Sequence, residues 1–216
     1  MTKEKIDDIL NTNSMNNCST KFYGSDILTR AEEKEKRRQE ILEKSIELFV
    51  RRGYYGTTVA DIAKEVGMST GLLFHYFESK EKLYEEIIKF GVEATKSVMT
   101  LDQSNPIEFF TEAADFILNS VKILPFSAKM FVLMTQATVN DAVSPEIKNI
   151  LSQLDDVERS VDIIKRGQEN GTIKQGDPFA LSVSYWCAIT GIMQQIAIAP
   201  NLPVPKAEWI VDILRS

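Results

Sequence analysis

The chain has 216 residues, 44% hydrophobic and 26% charged, with a net charge of −6, the balance of an ordinary globular protein with ample material for a core. No uninterrupted apolar run approaches the roughly 20 residues that a membrane span needs, and the N-terminus lacks the basic-then-apolar layout of a secretory signal. Two cysteines, Cys18 and Cys187, exclude a disulfide framework, so a reduced, cytoplasmic protein is the expectation.

The acidic balance argues against nucleic acid until the chain is divided. Residues 34–89 hold 11 Lys and Arg against 10 Asp and Glu, a net of +1, while the rest holds 14 against 21, a net of −7. The acidity lies outside one segment, and Lys34, Lys36, Arg37 and Arg38 open that segment with a basic cluster suited to phosphate.

Residues 1–33 are polar and rich in Asn, Ser and Thr, without sustained periodicity, and read as a mobile tail. From Lys34 onward nearly everything has helical period, and no alternating strand pattern appears, so the fold is expected to be all-α with about nine helices and no sheet. A first helix ends at Gly53. A second starts at Thr58, whose hydroxyl can cap free N–H groups, with Asp61 in capping-box position and Ile62, Ala63 and Val66 as its apolar face. Gly67 can take the left-handed conformation after that helix. Ser69 caps a third helix, with Leu73, Phe74 and Phe77 as the buried face and Thr70, Gly71, Leu72, His75 and Tyr76 pointing elsewhere. Two short helices joined by a tight turn make a helix-turn-helix, whose second helix enters the DNA major groove.

A fourth helix is expected from Ser79 to about residue 99, and Asn105-Pro106 opens a fifth. Pro125 breaks that helix, and a short apolar one follows over 126–138. Ser144-Pro145-Glu146 and Asp177-Pro178 are N-cap and first-turn proline signals for helices over 144–170 and 179–199. Pro205 introduces a last amphipathic helix ending near Arg215.

The segment 37–83 resembles the DNA-binding module of TetR-type (tetracycline-repressor-like) transcriptional regulators. Ile41, Ser45, Leu48, Phe49 and Gly53 match that family's first helix and its glycine stop. Thr57-Thr58, Ile62-Ala63 and Val66-Gly67 match the second helix. Ser69-x-Gly71-x-Leu73-Phe74-x-Tyr76-Phe77-x-x-Lys80-Glu81-x-Leu83 matches the third and the start of the fourth. The match covers about a quarter of the chain in fixed register. Phe74 departs from the family's usual tyrosine, which removes a phosphate contact through that hydroxyl. The resemblance implies a helix-turn-helix domain over 34–80, with Arg37, Thr57, Thr58, Ser69, Thr70, Gly71, Leu72, His75, Tyr76 and Lys80 at the DNA. Lys80 matches the family's phosphate-contacting lysine.

The same resemblance implies an effector-binding and dimerisation domain over 81–216. Phe109, Phe110, Phe116, Phe126, Met130, Phe131, Met134, Trp186 and Met193 supply an adaptable apolar lining, although each serves equally well as plain core. The helix over 179–198 is apolar around much of its circumference and must bury a second face. A homodimer through Val183, Trp186, Ile189, Ile192, Trp209 and Ile213 is the simplest partner.

No enzymatic constellation stands out: His75 is the only histidine, and Asp155, Asp156 and Glu158 share a polar helix face with Arg159. No metal or cofactor is expected. These readings imply a ligand-responsive regulator, a dimeric repressor that leaves a palindromic operator when a small apolar effector binds. An activator or ligand-independent regulator of the same fold stays open, as does an all-α enzyme that contains a helix-turn-helix.

Overall fold

A computed structural model of the protein describes residues 29–140, 143–152 and 155–216. The first 28 positions of the polar tail lie outside the described residues. The tail ends earlier than the sequence implies, because Thr29 caps a helix: its hydroxyl accepts from the Glu32 N–H, and the Glu32 carboxylate accepts from the Thr29 N–H at 2.8 Å. That helix, α1 (Arg30–Arg52), turns Ile41, Leu42, Ser45, Ile46, Leu48 and Phe49 inward at helical spacing. It is followed by α2 (Val59–Glu65), α3 (Thr70–Phe74) and α4 (Lys80–Val98).

The chain forms two compact units, one running through Ala94 and the other covering Thr95–Ser216. The division falls inside α4 rather than at residue 80, because Leu83, Tyr84, Ile87 and Ile88 are all core residues of the first unit.

In the second unit α5 (Pro106–Ile123), α6 (Ser127–Val139), α7 (Pro145–Leu151), α8 (Asp156–Glu169), α9 (Pro178–Ile198) and α10 (Ala207–Val211) follow. The N-cap signals at Asn105, Ser144 and Asp177 are all used, each side chain accepting a backbone N–H one turn ahead. The helix expected over 144–170 is two helices. Asp155 accepts the Glu158 N–H at 2.9 Å, a local bond that restarts the helix rather than continuing it. The all-α architecture of about nine helices therefore stands, with ten segments among the described residues. The final helix is shorter than expected: after Val211 the chain turns, and Arg215 forms an isolated bridge to Ile173. Strand pairing among the described residues is limited to that bridge.

α9 packs along α8 and α6, while α10 packs on α5. Phe109, Phe110, Tyr185 and Trp186 form a chain of edge-on rings with centroids 5.1, 4.8 and 5.0 Å apart. The Tyr185 hydroxyl donates to the Phe110 carbonyl, the Trp186 indole to Ser160 Oγ at 2.9 Å, and Ser182 Oγ to the Val157 carbonyl at 2.7 Å. Every polar tip in this apolar seam is thus hydrogen-bonded. By length and composition alone α9 would cross a bilayer, and α5 and α6 would do so only as a pair bent by 113°. Tyr185, Ile189 and Met193 of α9 are instead fully buried in the core of this unit.

Candidate nucleic-acid interface

The α2–α3 pair is built by short-range hydrogen bonds that its own sequence supplies. The Asp61 carboxylate accepts from the Thr58 N–H at 2.9 Å and from its hydroxyl at 2.6 Å, while Thr58 Oγ1 accepts from the Asp61 N–H. These bonds to Thr58, ahead of the Arg52 guanidinium at 2.9 Å, hold the Asp61 carboxyl below the usual carboxylate range. After α2 the chain reverses at Gly67, whose φ of 67° is the left-handed conformation that a glycine adopts without strain. The Met68 N–H then reaches the Ala63 carbonyl at 2.9 Å, and Ser69 Oγ caps α3 through the Leu72 N–H at 3.2 Å.

From this frame α3 turns one edge inward. Leu73 is 3% exposed and lies beside the buried Ile62, Phe77 and Leu83 in the core of the unit. Thr70, Gly71, Leu72 and His75 are exposed, and Tyr76 is half-buried. Phe74, read from its spacing as part of the buried face, is 49% exposed. It is the last residue of a five-residue helix, about 100° around the axis from Leu73, so it lies on the rim between core and solvent.

Three of the expected contact residues are committed elsewhere. Thr57 is fully buried, and its hydroxyl donates to the Gly53 carbonyl at 2.9 Å, so it closes the α1–α2 turn and offers nothing to DNA. The Arg37 guanidinium pairs with Glu40 and donates to the Val66 carbonyl at 2.6 Å, pinning α1 to the last turn of α2. Lys80 has the most extensive partners within the unit. Its ammonium donates to the Tyr54 carbonyl at 2.9 Å and the Thr57 carbonyl at 3.0 Å, and lies 4.1 Å from the Tyr54 ring centre. It ties the first turn of α4 to the turn between α1 and α2. Arg38, of the basic cluster, pairs with Glu86 and lies 4.9 Å from the Phe77 ring centre.

Tyr54 completes the lock. Its hydroxyl donates to Glu81 Oε1 at 2.9 Å, and burial, then the bond to Glu81, pushes its pKa up. Neighbouring Tyr55 is one of the most exposed aromatic residues of this unit. The sequence reading did not single it out, although a Tyr-Tyr pair between two glycines was the available signal.

The result is a short, capped helix whose outer surface bears no formal charge. Two carboxylates of α2 are matched by arginines, Asp61 by Arg52 and Glu65 by Arg51 at 3.8 Å. A helix about 10–12 Å across fits a B-DNA major groove about 12 Å wide.

The residues proposed for an effector site all sit in the second unit. Phe109, Phe110 and Met193 are fully buried, Phe116, Phe126, Met130 and Trp186 nearly so, and Phe131 and Met134 are half-buried. Of the residues expected at a dimer seam, Val183, Ile192 and Ile213 are half-buried and Trp209 is 63% exposed. Trp186 and Ile189 are buried within their own unit, Trp186 with its indole bonded to Ser160 on α8. Among the described residues no group of three His, Cys, Asp or Glu is placed to hold a metal ion.

Residues 41–87 match the model of the tetR family of bacterial regulatory proteins. The biofilm operon negative transcriptional regulator IcaR of Staphylococcus aureus strain Newman is 33% identical over 67 residues, which is 31% of this chain and 36% of that protein. The match therefore spans about a third of that relative's length. Among solved structures, the TetR family regulator PfmR from Thermus thermophilus is 26% identical, with a TM-score of 0.58 over 83% of this chain and 96% of that one. AibR, in a complex with isovaleryl coenzyme A and operator DNA, shares the fold at 22% identity, with a TM-score of 0.58 over 82% of this chain and 94% of that one. The capped helix-turn-helix over residues 41–87 is thus similar to the DNA-binding segment of tetR family regulators, and the chain shares the fold of the TetR family regulator PfmR.

Proposed function

We propose that the protein is a ligand-responsive transcriptional repressor that binds a palindromic operator as a homodimer in the cytoplasm. The single observation that carries the DNA-binding part is α3. Its outward side chains take no part in the core of the unit, it carries no charge, and the Ser69 cap and the buried Leu73 hold it in place. Such a helix is built to present its surface to something outside the chain. Thr58, Ser69, Thr70, Gly71, Leu72, His75 and Tyr76 form the contact set, with Arg37, Thr57 and Lys80 holding it in position.

The dimer seam belongs to the uncovered face of α9. Ala180, Val183, Cys187 and Gly191 recur along it at helical spacing, and small residues there let a second helix approach closely. The effector site belongs to the aromatic and thioether cluster between α5, α6 and α9, and the acyl-thioester ligand of the similar AibR supports a partly apolar ligand. A ligand that binds better to one arrangement of that cluster shifts the population away from DNA binding.

Selection of duplexes from random DNA by the full-length protein tests the reading. A two-fold symmetric consensus with nanomolar affinity is the expected result, and recovery of no consensus overturns it.

A further inference from the structure

We propose that Leu72 sets operator specificity by packing on the C5-methyl group of a thymine in the major groove, with Gly71 allowing α3 to seat deeply enough to bring it there. The inference rests on the reading of α3 as the DNA-facing helix.

Leu72 is 44% exposed although its neighbour Leu73 is almost completely covered, so it does not serve the core of the unit. As the third residue of α3 it lies at the helix end that meets base edges. The segment 69–76 contains no Arg, Lys, Asn or Gln, the side chains that grip guanine or adenine through two hydrogen bonds. Ser69 Oγ is engaged as acceptor of the Leu72 N–H, and the polar groups left on α3 and its end, Thr70, His75 and Tyr76, do not offer the paired hydrogen bonds of an amide or guanidinium. A surface without such two-bond readers leaves an apolar contact as a main source of discrimination. Thymine alone among the four bases offers an apolar group in the major groove.

Gly71 supplies an independent observation. It sits in ordinary helical conformation, and a Cβ built on it meets nothing within 4 Å. Neither backbone geometry nor packing in this unit calls for glycine, and glycine weakens a helix. The space a side chain would fill is kept for something beyond the chain. A protein partner is a poor fit, because two exposed apolar side chains fall far short of the roughly 800 Å² per partner that a stable protein interface buries. Nucleic acid fits better: α3 is uncharged, and two carboxylates of the preceding helix, Asp61 and Glu65, are paired with arginines, which reduces the repulsion of phosphates.

The test replaces each thymine of the selected operator, one at a time, by deoxyuridine, which deletes the methyl and leaves every hydrogen-bonding group in place. Wild type and Leu72→Ala are titrated against the set. Wild type is expected to lose about fourfold in affinity at one thymine per half-site, the ratio that goes with one buried methyl. Leu72→Ala is expected to bind the thymine and deoxyuridine operators equally. Uniform wild-type affinity across the set overturns the proposal, as does a methyl effect that persists in Leu72→Ala. Either result leaves the DNA-binding reading standing, whereas failure of both proteins to retain any operator removes that reading itself.

Discussion

α3 and α9 both leave apolar side chains uncovered, and they do so in different settings. α3 has five residues, and Leu72 and Phe74 emerge from a helix whose other edge is fixed by caps and by Leu73. α9 has 21 residues and is apolar nearly all round, with one face sunk in its own unit while Phe179 and Ile198, the latter 75% exposed, stand out from the other. A short helix shows few side chains, each with a definite direction, which suits the reading of individual base pairs. A long helix with two apolar faces has area to bury, which suits association with another long helix. The difference in length and patterning, rather than the presence of exposed apolar groups, separates a recognition surface from an assembly surface.

The largest expected effect breaks the α9 half of that contrast. Ile189 is fully buried, so Ile189→Glu places an unpaired charge inside the unit and should cost about 4 kcal/mol or more. Cys187→Glu, two residues away on the exposed face, should change the stability of the protomer by less than about 0.5 kcal/mol. The two variants therefore separate folding from assembly. Melting should fail for Ile189→Glu, while sedimentation should show a folded monomer for Cys187→Glu. A Cys187→Glu dimer as tight as wild type would remove the uncovered face of α9 from the seam.

Lys80 tests the α3 half. Lys80→Ala strips a charged donor from two carbonyls and an aromatic face, and should destabilise the N-terminal unit by about 2–3 kcal/mol. The slope of log affinity against log salt should not change, because the ammonium is turned into the protein. A slope shallower by about one with stability intact would mean that Lys80 holds a phosphate after all.

These two sites also mark how far the sequence could be read. Caps are local, so Thr58 with Asp61, Ser69, Asn105, Ser144 and Asp177 announce their helices from residues no more than a turn away. Gly67 announces the turn in the same way. The inward edge of α3 follows from periodicity at Leu73 and fails at Phe74, because one turn of helix leaves a rim residue undecided. Lys80 was assigned by position in a motif, but a long flexible stem lets tertiary neighbours choose where the ammonium goes, and the nearest acceptors were the Tyr54 and Thr57 carbonyls. Trp186 and Ile189 turn inward in their own unit for a related reason. A helix apolar on all sides has no pattern to say which face goes inward, and only the packing of α8 and α6 decides it.

Asp156 sharpens the comparison from the α8 side of the α9 packing. Burial pushes its carboxyl up to about 6, and its Oδ1 has no hydrogen-bond partner among the described residues. Between about pH 4 and 6 the folded chain therefore holds a proton that the unfolded chain, at the ordinary value of about 3.9, has released. Stability falls as pH rises through that window and stays reduced above it. Asp156→Asn should be more stable than wild type by about 1–2 kcal/mol at pH 7, with the difference vanishing near pH 4. Melting curves across that range check it, and a gain independent of pH would assign the effect to something other than the charge.

The smallest effect bears most directly on what α3 is for. At Gly71 a methyl group has open space around it, and alanine is the better helix former. Gly71→Ala should therefore stabilise the protein by about 0.5–1 kcal/mol, mostly by restricting the unfolded chain. If the helix seats against DNA at this residue, the same methyl should lower operator affinity, so stability and binding move in opposite directions. Few substitutions separate the two so cleanly, because most that weaken binding also disturb the fold. A melting temperature raised by a few degrees together with weaker operator binding, measured on one preparation, is the expected pair of results. Raised stability with unchanged affinity would show that the glycine is tolerated rather than used, and that the surface of α3 meets the groove less closely than its missing side chain implies.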